Sequence, residues 1–129
     1  MADTNIPEHL RYTEDHEWIE IEDDIATVGI TDYAQSELGD IVYVEMPEIG
    51  ADITQGKPFG LVEAVKTVAD LYAPLSGEIV EYNPLLSDNP EMINNSPYEE
   101  GWIIRIRFKD QGELASLLDA QGYADQIGA

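Results

Sequence analysis

The sequence predicts a mainly β fold, an antiparallel sandwich or barrel carrying short helices and one C-terminal helix. Three observations carry this reading. Short strand-like runs recur from Glu17 to Lys109. The joins between them leave no room for the crossover of about a dozen residues that parallel strands require. Several runs alternate apolar with polar residues, the period of a half-buried strand.

Glu17 to Ile21 and Ile25 to Ile30 are β-rich runs around the polar turn Glu22-Asp23-Asp24, which reads as a hairpin. Thr31 offers an N-cap to a short helix over Asp32 to Leu38, and Gly39 sits where a left-handed residue closes a helix. Ile41 to Met46 returns to strand. Two-residue parity puts Val42, Val44 and Met46 on one face and Ile41, Tyr43 and Glu45 on the other, before Pro47 and Gly50 end it. Pro58 to Ala64, Thr67 to Ala73 and Gly77 to Tyr82 are three further strands, joined by Val65-Lys66 and by Pro74-Leu75-Ser76. From Leu85 to Gly101 turn formers dominate, so an ordered loop is expected, with at most a short helix around Glu91 to Asn94.

Trp102 to Lys109 is the cleanest strand: Trp102, Ile104, Ile106 and Phe108 belong to the core face, and Ile103, Arg105, Arg107 and Lys109 to the other. Asp110 and Glu113 form an Asp-x-x-Glu capping box ahead of Leu114, Leu117 and Leu118, whose spacing marks one apolar helix face. A C-terminal helix is expected to start there and dock on the sandwich. From Gly122 the chain reads as a polar tail in which Tyr123 packs and the last residues fray. One domain then covers 1–129, with 1–10 and 124–129 loosely ordered.

Apolar residues make up 43% of the chain, enough for one core without staples. No apolar run approaches the roughly 18 to 20 residues that cross a bilayer. The N-terminus has neither a secretory apolar stretch nor an Arg-rich, acid-poor transit pattern, so a cytoplasmic monomer used from its own Met1 is expected. With no cysteine there is no disulfide framework and no thiolate site, and no metal constellation stands out. The 27 acidic and 6 basic residues give a formal charge of −21. Such a surface repels phosphate backbones and anionic lipid, which argues against nucleic-acid and membrane partners; solubility or steering toward basic partners is what it provides.

The unusual local feature is Lys66, one of three lysines, set between Ala64-Val65 and Thr67-Val68 at a hairpin tip that is normally polar. Gly60, Glu63, Lys66, Ala73-Pro74 and Ser76-Gly77 together form a frame similar to that of the lipoyl/biotinyl carrier superfamily, in which a modified lysine tops a β-hairpin. Tyr12 to Trp18, Gly29 to Ala34, Leu38 to Ile41 and Asn95 to Trp102 narrow this further, because in order they strongly resemble the glycine cleavage H-protein family over roughly residues 10 to 120. Glu14, Asp15 and Glu99-Glu100-Gly101 depart from the pattern away from the lysine. A biotinyl carrier would resemble Met-Lys-Met at the tip, where this chain has Val65-Lys66-Thr67; a lipoyl domain of a 2-oxo acid dehydrogenase complex would lack the Tyr12 to Trp18 region. A lipoate-relay protein and an unmodified binding module are further alternatives.

The resemblance implies the barrel-sandwich hybrid of lipoyl carriers, and lipoate in amide linkage on Lys66, with Glu63, Val65 and Thr67 flanking it. It implies no catalysis by the chain alone but a carrier of the aminomethyl group of glycine. The implied partners are a PLP-dependent glycine decarboxylase (P protein), a tetrahydrofolate-dependent aminomethyltransferase (T protein), an FAD-dependent dihydrolipoyl dehydrogenase (L protein) and a lipoate-attaching enzyme. A protonated aminomethyl group seeks a carboxylate. Asp70, which shares strand parity with Lys66, Val68 and Tyr72, is the first candidate and Glu17 the second. His16, alone among carboxylates, reads as structural, His9 as tail, and Trp18 and Trp102 as core.

Overall fold

Nine strands and four short helices follow one another through the described residues, 5–128, of the computed structural model. The strands are β1 (Arg11–Tyr12), β2 (Glu17–Glu22), β3 (Ile25–Ile30), β4 (Ile41–Glu45), β5 (Asp52–Ile53), β6 (Pro58–Ala64), β7 (Val68–Tyr72), β8 (Gly77–Tyr82) and β9 (Ile104–Phe108). The helices are α1 (Asp32–Leu38), α2 (Leu85–Asp88), α3 (Met92–Asn95) and α4 (Ala120–Ile127). Every pairing is antiparallel. The sheets are β1-β2-β3-β9-β8-β5 and β4-β6-β7, so the architecture is a sandwich and not a closed barrel.

The core forms between the sheets because each strand's period-two alternation points one apolar row inward. Ile19, Val28, Ile104, Ile106 and Ile79 from the larger sheet meet Val44, Val62 and Leu71 from the smaller, with Leu86 and Ile93 of α2 and α3 completing the cluster. A second cluster joins Leu10, Tyr12, Trp18 and Tyr123, with the Tyr12 and Tyr123 rings stacked at 4.8 Å. It fastens α4 to the β1–β2 end. Trp18 lies over Gly29, its register partner, and a side chain at Gly29 would collide with the indole.

Several expectations change. The β2–β3 turn is Asp23-Asp24 alone, with Asp23 at φ 57°. Gly39 has positive φ but ψ −158°, an extended exit into β4 and not the left-handed closure expected. A bulge between Ile41 and Tyr43 breaks the parity of β4: Ile41 and Val44 are buried while Val42 and Tyr43 are both exposed. The region after Pro84 forms two helices, of which only α3 was expected. Trp102 precedes β9, is half-buried on the second cluster and carries the Arg105 guanidinium 4.0 Å from its ring centre; Ile103 is the buried residue there.

The Asp110–Glu113 capping box does not form. Asp110 accepts from Gly112 N–H and starts only a 3-10 turn, Gln111–Ser116, because Glu113 turns away to accept from Ser76 N–H (2.7 Å) and Ser76 Oγ–H (2.8 Å). The C-terminal α-helix starts later, at Asp119, whose carboxylate accepts from Gly122 N–H. It occupies the segment read as a tail, and Tyr123 at its centre is fully buried. At the other end, Asn5 N–H donates to Asp32 and Leu10 is buried; residues 1–4 and 129 of the expected loose termini lie outside the described residues.

Candidate functional site: the Lys66 tip and the cleft beside it

The β6–β7 hairpin is closed by Ala64 N–H donating to the Thr67 carbonyl at 2.7 Å, which leaves Val65 and Lys66 as a two-residue tip. Both are exposed, Val65 by 72%. Among the described residues Lys66 makes no ion pair, so its ammonium group is available. The tip is nevertheless held, because Val65 N–H donates to the Asp40 carbonyl at 3.2 Å. Asp40 is fixed in turn by Asn94 of α3, which accepts from Ile41 N–H (2.9 Å) and donates to Gln35 Oε1 (2.9 Å) and the Gly39 carbonyl (2.8 Å). Tyr43, Glu63 and Val68 form an exposed cross-strand row next to the tip, and Thr67 closes it. Gly60 and Gly77 serve close backbone approach: a side chain at Gly60 would strike the Glu45 carbonyl, and one at Gly77 the Arg107 carbonyl.

Between β7 and α1 lies a cleft of about 260 Å³. Ile30, Ala34, Leu38, Val62, Ala69 and Leu71 supply its apolar lining; Asp15, His16, Tyr33, Glu37 and Asp70 supply its polar one. Asp70, on β7, lines this cleft, while Lys66 at the hairpin tip does not. Such a cavity, apolar with a few convergent polar groups, suits a slender chain ending in a cation. A larger cavity of about 750 Å³ on the outer face of the six-stranded sheet, near Trp102 and Arg105, holds neither Lys66 nor Asp70.

Glu17 is not in the cleft lining. It is 1% exposed, and its carboxylate accepts from Tyr72 N–H at 2.7 Å and from the Thr13 hydroxyl at 3.4 Å. Burial pushes its pKa up to about 8, only partly offset by those two donors. It thus stands behind the end of β7, the strand that carries Asp70. The sequence held the signal, since Glu17 shares parity with Ile19, the buried face of β2.

His16 lines the cleft in a backbone conformation of positive φ, 67°, and its Nδ1 lies 2.9 Å from the Tyr123 hydroxyl. Its pKa is lowered, burial outweighing the upward pull of Asp15 and Glu37. Asn94, Tyr123 and the cleft role of His16 were not found from the sequence, because each acts on a partner far away in the chain. Among the described residues no group of three or more His, Asp or Glu is arranged to hold a metal, and no helix is long and apolar enough to cross a membrane.

The family model described as Glycine cleavage H-protein matches residues 10–128. The glycine cleavage system H protein of Geobacillus thermodenitrificans is 57% identical over 123 residues, 95% of this chain and 97% of that one. That of Staphylococcus epidermidis is 52% identical over 95% of this chain and 98% of its own. The crystal structure of the Mycobacterium marinum glycine cleavage system H protein superposes with a TM-score of 0.90 at 44% identity, covering 96% of this chain and all of that one. A lysine-tipped hairpin on this sandwich, matched over residues 10–128 and at these identities over 95% of the chain, carries the assignment: the chain is a member of the glycine cleavage H-proteins.

Proposed function

We propose that the chain is the lipoyl carrier of the glycine cleavage system, with lipoate in amide linkage on Lys66. The observation that carries this reading is the exposed, ion-pair-free Lys66 on a tethered two-residue tip, beside an apolar cleft edged by Asp70. The residues present fit the group: the tip offers an acylable amine, and the cleft has an apolar lining for the chain and carboxylates for a cationic end. The lipoyl dithiolane supplies the redox and group-carrying chemistry, accepting an aminomethyl group from glycine and being reoxidised later. Lys66 lies roughly 13 Å along the strand from Asp70, at about 3.3 Å per residue, within reach of a lysine side chain lengthened by an acyl chain.

The chain's own work is positioning. The hairpin holds the arm's root while the end visits the P, T and L proteins, and tethering raises local concentration at each of them. Asp70 would accept a charge-assisted hydrogen bond from a cationic end of the arm, and Glu17 would support it from behind through Tyr72. Lipoate attachment is the task of a separate enzyme, for which Glu63, Val65 and Thr67 frame the lysine.

The test is peptide mass mapping of protein isolated from its native host, together with a reconstituted glycine decarboxylation assay. The lipoyl mass falls on Lys66, and Lys66→Arg, which keeps the charge and loses the acylable amine, abolishes activity while folding normally. Lipoate on Lys57 or Lys109, or an active Lys66→Arg protein, rules out the assignment. Asp70→Asn shortens the lifetime of the methylamine-loaded protein, read as ammonia release without the T protein, and Glu17→Gln does so less. Equal lifetimes in all three proteins remove these residues from the arm's seat.

A further inference from the structure

One lining residue of the cleft, His16, is held by a side chain more than a hundred positions away. The Tyr123 hydroxyl, carried by α4, sits 2.9 Å from His16 Nδ1 and 2.7 Å from Thr31 Oγ1. Thr31 Oγ1 in turn accepts from Ala34 N–H at 3.1 Å, capping α1. These contacts order the protons. The Thr31 hydroxyl is fully buried, its oxygen already accepts, and its own proton has Tyr123 Oη as its partner. Tyr123 must then pass its proton on, and His16 Nδ1 is the acceptor within reach.

A protonated His16 would have to reverse this chain. Its Nδ1–H would donate to Tyr123 Oη, and the Thr31 proton would lose its acceptor among the described residues. The ring cannot easily turn away to avoid this. His16 N–H donates to the Thr13 carbonyl and Thr31 N–H to the His16 carbonyl, which clamps a residue already at positive φ. The imidazole also packs against Tyr33 at 5.2 Å and the edge of Tyr123 at 5.8 Å. The titratable groups around it are Asp15 on its own loop, Tyr33 and Glu37 on α1, Asp70 on β7 and Tyr123 on α4.

We propose that Tyr123 is a positioning residue of the arm's cleft. Its hydroxyl fixes the His16 ring with Nδ1 as acceptor, so the imidazole meets the arm as an uncharged wall and Asp15, Glu37 and Asp70 stay unopposed for a cation. The proposal rests on the cleft being the arm's seat, as set out above. The lowered pKa of His16, despite two neighbouring carboxylates that pull the other way, accords with it.

The test begins with nitrogen-detected NMR of the full-length protein before lipoate attachment, which reads the tautomer and titration midpoint of His16. In the parent, the shifts report His16 as the Nε2–H tautomer, with a midpoint below the ordinary imidazole value. In Tyr123→Phe the ring stack on Tyr12 is kept but Nδ1 meets only water, which serves either charge state. The His16 midpoint then rises by about half a pH unit to one, a three- to tenfold gain in proton affinity. In the loaded, lipoylated protein the same substitution shortens the aminomethyl lifetime several-fold near pH 6.5, and the difference vanishes by pH 8.5, where the imidazole is neutral in both proteins. An Nδ1–H tautomer in the parent, an unmoved His16 midpoint in Tyr123→Phe, or a lifetime loss equal at every pH overturns this proposal alone. A parent protein that cannot be loaded overturns the carrier reading and this proposal with it.

Discussion

A carboxylate as buried as that of Glu17 changes the fold's response to pH. Its folded pKa, about 8, lies above the ordinary carboxylate value, so the stability it allows is full below about pH 4.5 and is lost as pH rises through about 8. The loss is of the order of 2–4 kcal/mol between pH 5 and pH 9. Glu17→Gln keeps an acceptor for Tyr72 N–H and removes the charge. Urea midpoints are expected to coincide for the two proteins at pH 5, and the variant is expected to be the more stable at pH 9; a parent equally stable relative to Glu17→Gln at both values refutes the assignment. Lys66 stood out in the sequence as an isolated lysine among apolar neighbours at a turn, but its expected role came from the family resemblance, since a lone lysine at a turn is usually a solvated charge. Glu17 was visible as a site residue, and its parity with Ile19 carried the signal of its burial.

At the scale of elements, the hairpin tip depends on a helix of one turn. Asn94 in α3 holds both sides of the α1–β4 junction, and that junction holds Val65. Asn94→Ala leaves Ile41 N–H without its acceptor and is expected to cost about 1–3 kcal/mol, measured by chemical denaturation. It is also expected to slow acylation of Lys66 more than Asn95→Ala does, since Asn95 makes no side-chain bond among those described for the junction. Equal acylation rates in the two variants would detach the tip from α3. The strands around Lys66 and the hairpin β2–β3 were readable from periodicity and turn residues. The β4 bulge was not, because a bulge conserves composition while breaking parity, and Val42 looks no different from Val44 until Tyr43 finds its partner in Glu63. The C-terminal helix was misplaced for a related reason: the Glu113 side chain that would complete a local cap is drawn to Ser76, thirty-seven positions away.

For the whole molecule, the −21 charge is a statement about encounter. Carboxylates flank the tip on neighbouring strands and loops, Glu63 and Glu45 on the outer face and Asp70, Asp15 and Glu37 around the cleft. If this field steers the carrier toward basic rims on its partners, the KM for the carrier in glycine decarboxylation rises as ionic strength increases from low to high, with kcat little changed. A flat KM assigns the charge to solubility instead. The same arrangement has a consequence for the protein's behaviour when concentrated. β7 is a border strand of the three-stranded sheet, and an open border of that kind invites the sheet of another copy to continue it. Here the Tyr72 N–H is already taken by Glu17, and Asp70 sets a charge on the border beside it. Glu17 and Asp70 thus also disfavour edge-to-edge pairing at this end of the strand.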